Sequence, residues 1–256
     1  MRKSAAALAL RHGLSTHIAD GVAWLRLERP EAGNRITLEL AQALCDAAAE
    51  IELDERVAVV VLAAGGASFC LGMEARSEWE RRVDWVDAIG RLTRPVIAAI
   101  QGDAIAEGLE LALACDIRLL ANGAHLAMPQ LTLGRLPMHG GTQRLPRVVG
   151  RMRALDLLLT GRRIEAGEAE TIGLASRVAA PEQFAAALAA LVGTLQSKGP
   201  LALRYAKEAV LKSGDLTLDQ GVRLEEDLYV LLQTTHDRQE GINAFLKKRK
   251  PVFRGK

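Results

Sequence analysis

Arg94-Pro95-Val96-Ile97-Ala98-Ala99-Ile100-Gln101-Gly102 and, a little further on, Glu110-Leu111-Ala112-Leu113-Ala114-Cys115-Asp116-Ile117-Arg118 are the stretches on which the fold turns. Val96 to Ile100 is a short, wholly apolar run closed by Pro95 on one side and Gln101-Gly102 on the other, the pattern of a strand buried on both faces. Asp116 to Leu120 is a second such candidate. Upstream, Val57 to Ala63 is a third, and the segment between it and Val96 reads as helical around Trp79 and Trp85. Further out, Leu40, Leu44, Ala47 and Ile51 recur at the spacing of one helical face, with Thr37 placed to cap the first turn. Thr16 to Leu27 reads as two strands folded about Asp20-Gly21, both residues tolerant of positive φ, with Pro30 closing the second. Strands separated by helices predict right-handed crossovers and an α/β core.

Beyond Gly150 the pattern turns helical: Arg151 to Thr160, Glu165 to Ile172, Pro181 to Gln196, Pro200 to Lys212, Thr217 to Gln233 and His236 to Lys248. The expected organisation is a core over residues 1–195 and a helical region over 196–256. No internal repeat and no low-complexity linker is found.

The 256 residues carry a formal net charge of +2, with 49% apolar and 25% charged residues, which leaves no electrostatic case for nucleic acid. The basic run Lys247-Lys248-Arg249-Lys250 reads as a solvated helix end. Cys45, Cys70 and Cys115 lie far apart with no histidine at ligand spacing, so neither a metal site nor a disulfide framework is expected, and a reducing cytoplasm fits. The apolar run within Met1 to Leu10 is short and is interrupted by Arg11 and His12, unlike a secretory leader; no stretch is long enough to span a bilayer. There is no G-x-S-x-G elbow, and no G-x-G-x-x-G follows the first strand, which disfavours a serine hydrolase or a dinucleotide enzyme.

Three stretches place glycines beside helix starts or strand ends, where backbone N–H groups are free to meet an anionic oxygen: Gly65 to Glu74, Gln101 to Asp116 and Pro129 to Leu145. Here the chain resembles the crotonase family of enoyl-CoA hydratases and isomerases. The resemblance is carried by Ser68-Phe69-Cys70-Leu71-Gly72-Met73-Glu74, by the two stretches quoted at the outset, by Gly140-Gly141-Thr142-Gln143-Arg144-Leu145-Pro146-Arg147, by Leu158-Leu159-Thr160-Gly161-Arg162 and by Glu240-Gly241-Ile242 through Pro251. It runs from about Ala23 to Phe253.

The resemblance implies a ββα spiral core with a helical C-terminal trimerisation region. It implies an acyl-CoA substrate, with coenzyme A as part of the substrate and no other cofactor, and assembly as a homotrimer or dimer of trimers. It assigns oxyanion donors to the N–H groups of Met73 and Glu107, flanked by Leu71, Gly72 and Gly108, and a proton-transferring role to Glu110. For the CoA moiety it points to the backbone around Asn34, to Arg29 nearby, and to Phe245 and Lys248 across a subunit contact. Two N–H donors on a thioester oxygen lower the cost of an enolate, and losing one costs about 10²- to 10³-fold in comparable sites.

The chain departs from the family pattern in four places. Gln130, in Met128-Pro129-Gln130-Leu131, stands at the second catalytic glutamate, and an amide cannot exchange a proton near neutral pH. Ala106-Glu107-Gly108 replaces three glycines; a solvent-facing Glu107 is the commoner outcome, while its i, i+3 spacing to Glu110 leaves it able to supply a second carboxylate. Met138-His139 replaces glycines and brings an imidazole toward the acyl pocket, to shape it or to assist. The segment from Glu74 to Pro95 is short. The expectation is hydration or isomerisation of an enoyl-CoA. The alternatives are decarboxylation or other enolate chemistry on a CoA or carrier-protein thioester, or a CoA-binding paralogue with little turnover.

Overall fold

The computed structural model describes residues 9–74 and 83–256. The helical expectation at Trp79 and the reading of the N-terminal residues before Ala9 lie outside these residues. Strands β1 (Ala9–Arg11), β2 (Leu14–Ala19) and β3 (Val22–Leu27) form an antiparallel meander. The turn between β2 and β3 is Asp20-Gly21, with φ of 49° and 80°, the paired positive values that a two-residue hairpin needs to match strand twist. From β3 onward the sheet is parallel: β4 (Val59–Ala64), β6 (Val96–Ile100), β8 (Ile117–Ala121) and β11 (Arg177–Ala179), in spatial order β1-β2-β3-β4-β6-β8-β11.

The alternation along β4 sorts its side chains between two cores. Val60 and Leu62 join the larger core, with Leu40, Leu44 and Ile51 of α1 (Leu38–Leu53) and Trp85 and Ile89 of α2 (Trp85–Gly90). Val59 and Val61 join Ile97, Ala99 and Leu119 under Phe184, Leu191 and Val192 of α7 (Phe184–Gln196) on the opposite face. Covering both faces is what lets these strands be continuously apolar. Thr37 caps α1 by accepting the Leu40 N–H at 3.2 Å, as its position predicts.

A second, smaller sheet carries the strand ends at which the candidate site is built. It contains β5 (Ser68–Cys70), β7 (Asp103–Ile105), β9 (His125–Ala127) and β10 (Ile164–Glu165), in the order β10-β9-β7-β5. Its strands are parallel except for β10. Helix α3 (Glu107–Ala114) leaves β7 and leads into β8, and α4 (Gly141–Val149) and α5 (Arg151–Thr160) follow β9.

Beyond Gly150 the expectation of nearly continuous helix needs correction. β10 and β11 interrupt it, each too short to show a period, and α6 (Ala166–Thr171) lies between them. The chain ends in α8 (Pro200–Lys212), α9 (Leu218–Gln233) and α10 (His236–Leu246). α10 stops at Leu246, so the basic run follows the helix rather than ending it, and Arg249 within it pairs with Glu240. No helix among the described residues is long and apolar enough to cross a membrane.

Candidate active site

The site is built at the ends of β5 and β7, where close packing dictates the residue types. Gly108 sits so near β5 that an added Cβ would lie 2.1 Å from the Cys70 carbonyl oxygen, and only a glycine lets the first turn of α3 approach this strand. Ala106, just before the helix, is held at φ 54° and ψ −120°, a conformation costly for an L-residue, with its N–H on the Ala127 carbonyl.

After β5 the chain crosses Gly72, at φ 96°, to Met73. This loop is pinned to the segment before α1: Leu71 N–H donates to Gly33 O, Ile36 N–H to Gly72 O and Glu74 N–H to Ile36 O. The Met73 N–H is thereby aimed at the start of α3. The N–H of Glu107, first in that helix, has no carbonyl four residues back to meet.

Glu110 is fully buried in the first turns of α3, where a charged residue on a short amphipathic helix is more often exposed. Its Oε1 accepts two backbone N–H groups, from His139 and Gly141, each at 2.8 Å. Gly141 opens α4, and a Cβ there would stand 3.0 Å from Glu110 Oε1 and 2.9 Å from the Pro137 Cβ, so the close approach depends on glycine. The other oxygen, Oε2, accepts from the Gln130 side-chain amide at 3.3 Å. Burial pushes the Glu110 carboxyl up to about 7; the Gly141 and His139 N–H groups and the Arg144 charge pull the other way, while the negative charge of Glu107 adds to the rise.

Glu107 does not face solvent, contrary to the commoner expectation; it is 4% exposed. Its Oε2 accepts the Met73 N–H at 3.1 Å, and its Oε1 pairs with Arg135 Nη2 at 2.9 Å. Both carboxylate oxygens are thus held by groups outside α3, and its charge is still felt at Glu110. Gln130 is itself 2% exposed, in the 3-10 turn Pro129–Leu133, and its Oε1 has no partner among the described residues.

His139 serves Glu110 through its backbone N–H, while its ring packs against the buried Trp85 with centroids 5.1 Å apart. Arg144 holds this loop by donating to the His139 carbonyl at 2.6 Å. The Asn34 side chain is committed to the chain itself: Oδ1 accepts the Arg29 N–H, and Nδ2 donates to Gly65 O and Ser68 O, all at 2.8 Å. Any ligand here therefore meets the backbone of that turn rather than the Asn34 amide. Arg29 pairs with Glu74 at 2.6 Å and donates to Arg35 O. Phe245, 83% exposed, lies in the last turn of α10, and Lys248 lies exposed just beyond the helix.

Sequence reasoning missed Arg135 and Trp85 as parts of this site. A lone loop arginine carries no spacing signal, and a tryptophan in a short helix reads simply as core.

Two sheets with parallel centres, backbone N–H groups at the ends of β5 and β7, and a buried carboxyl on the helix that leaves β7 place the molecule among crotonase-fold enzymes. The solved enoyl-CoA hydratase from Bacillus anthracis superposes with a TM-score of 0.90 at 34% identity, covering 96% of this chain and 100% of that one. The chain belongs to the enoyl-CoA hydratase/isomerase family, whose model matches residues 17–256. Among similar relatives, the crotonyl-CoA hydratase of Syntrophomonas wolfei is 36% identical over 91% of this chain and 95% of its own. The enoyl-CoA isomerase/hydratase of Mycosarcoma maydis is 36% identical over 99% of this chain and 100% of its own. The protein is thus an enzyme of the hydratase/isomerase type.

Proposed function

We propose that the protein binds an acyl-CoA thioester, polarises the acyl oxygen with the N–H groups of Met73 and Glu107, and moves protons at the neighbouring carbons with Glu110. Coenzyme A enters only as part of the substrate. The observation that carries this reading is the Glu110 carboxyl: buried, fixed by two N–H donors on one oxygen, and with its proton affinity raised to about 7, where it gives and takes protons near neutral pH. The carboxylate oxygen of Glu107 resting on the Met73 N–H supports the oxyanion role, since that donor already holds a negatively charged oxygen.

Gln130 supports a division of labour within the family's chemistry. Its amide orients groups without titrating, so Glu110 is the proton carrier at this centre, and double-bond migration or α-proton exchange is favoured over two-carboxylate hydration. The test is incubation with an enoyl-CoA series in deuterated water, following hydration, migration and α-exchange separately. Glu110→Gln is expected to lower all three by about 10²- to 10⁴-fold. Unchanged α-exchange in that variant overturns the assignment.

We infer further that copies of the chain associate through α8 to α10. Among the described residues α8 buries no side chain fully and α9 only Leu228, although Leu218, Val222, Tyr229, Val230, Phe245 and Leu246 are exposed there. So much apolar surface fits a self-complementary contact.

A further inference from the structure

We propose that Glu107 is a built-in competitor for the acyl oxygen, a side chain that occupies the oxyanion donor and that a thioester must displace. The proposal rests on the reading of the Met73 N–H as that donor. A single N–H hydrogen placed to receive an acyl oxygen cannot serve a second strong acceptor in the same direction, and the Glu107 Oε2 lies 3.1 Å from the Met73 nitrogen. Hydrogen bonds to an ionised acceptor are roughly twice as strong as those to a neutral one. An uncharged thioester oxygen therefore competes at a disadvantage, whereas the developing enolate oxygen, itself anionic, does not. The arrangement withholds the donor from ground-state acyl groups and yields it as negative charge builds.

Arg135 makes the displacement possible. A carboxylate with 5% side-chain exposure that lost its only partner would be an uncompensated buried charge. Glu107 has two partners on different oxygens, so Oε2 can leave the Met73 N–H while Oε1 stays on Arg135, whose side chain is 45% exposed at the edge of the site. Arg135 is thus a positioning residue, the pivot on which the carboxylate swings. Gly72 makes room for the carboxylate at this donor, since a Cβ there would fall 2.8 Å from Glu107 Oε2.

The test compares two ligands that differ only in the acyl oxygen and its chain: butyryl-CoA, which has a thioester carbonyl and no double bond to hydrate, and CoA itself, which has no acyl oxygen. Both are titrated calorimetrically into the purified protein and its variants. Removal of the carboxylate in Glu107→Ala is expected to tighten butyryl-CoA about tenfold, the weight of one hydrogen bond to a charged group, with CoA affinity unchanged. Glu107→Gln keeps the volume and a neutral acceptor; it is expected to tighten butyryl-CoA by about threefold, between the other two, and stands in where the alanine variant fails to fold. An unchanged or weakened butyryl-CoA to CoA affinity ratio in both variants overturns the competitor while leaving the proposed function standing. Binding of neither ligand by the unaltered protein overturns both.

Discussion

At the scale of single residues, Glu110, the proposed proton carrier, is expected to set the pH response. Its folded-state value of about 7 lies above the ordinary carboxyl value of 4.5, so between the two the folded chain retains a proton that the unfolded chain gives up. As a base, Glu110 works only once that proton has left. The α-exchange rate on a saturated acyl-CoA is therefore expected to rise about tenfold per pH unit on the acid side and to level off near pH 7. A limb centred near the ordinary carboxyl value would mean that burial does not govern this group. The same displacement acts on stability: the contribution of the buried neutral form is present below pH 4.5 and is lost as pH rises through about 7. Glu110, Met73 and the backbone of Glu107 were legible in the sequence because each sits inside a long motif. The direction of the Glu107 carboxylate was not, because it depends on Arg135, which lies in a different loop and meets Glu107 only in three dimensions.

At the scale of elements, the long apolar strands β4, β6 and β8 and the capped helix α1 announce themselves by period and by end signals. β5, β7 and β9 have three residues each, too few for any period, yet they carry the loops that hold Met73 and Glu107. Their positions follow from neighbours that admit no side chain, such as Gly108 against Cys70 O. α4 went unread for another reason: it contains Pro146, which argues against helix interior in any local reading. The junction between β7 and α3 is strained at Ala106, and this gives a prediction about folding rather than catalysis. Ala106→Gly relieves a conformation that disfavours a Cβ, at the expense of some chain entropy, and a net gain of about 1 kcal/mol is expected in urea denaturation. A loss of stability would show that the Ala106 methyl group contributes more by packing than its backbone geometry takes away.

At the scale of the whole molecule, the two sheets and their helices form a core complete within one chain, whereas the last three helices do not. α8 and α9 span 13 and 16 residues and bury a single side chain between them, so their apolar faces need another surface. Sedimentation velocity is expected to give a trimer or a multiple of it, and a charge introduced by Tyr229→Asp is expected to shift the distribution toward smaller species. A monomer at micromolar concentration would sink this inference. The way Glu110 is held reaches beyond rates to stereochemistry. With both lone pairs of Oε1 taken by main-chain donors, a travelling proton has only Oε2 to ride on, and that atom is fixed to one side of the site. With Glu110 as the proposed proton carrier, the two hydrogens on a substrate methylene are expected to be inequivalent: one is reachable and its twin is not, and the product's handedness follows which carboxyl oxygen the backbone leaves free.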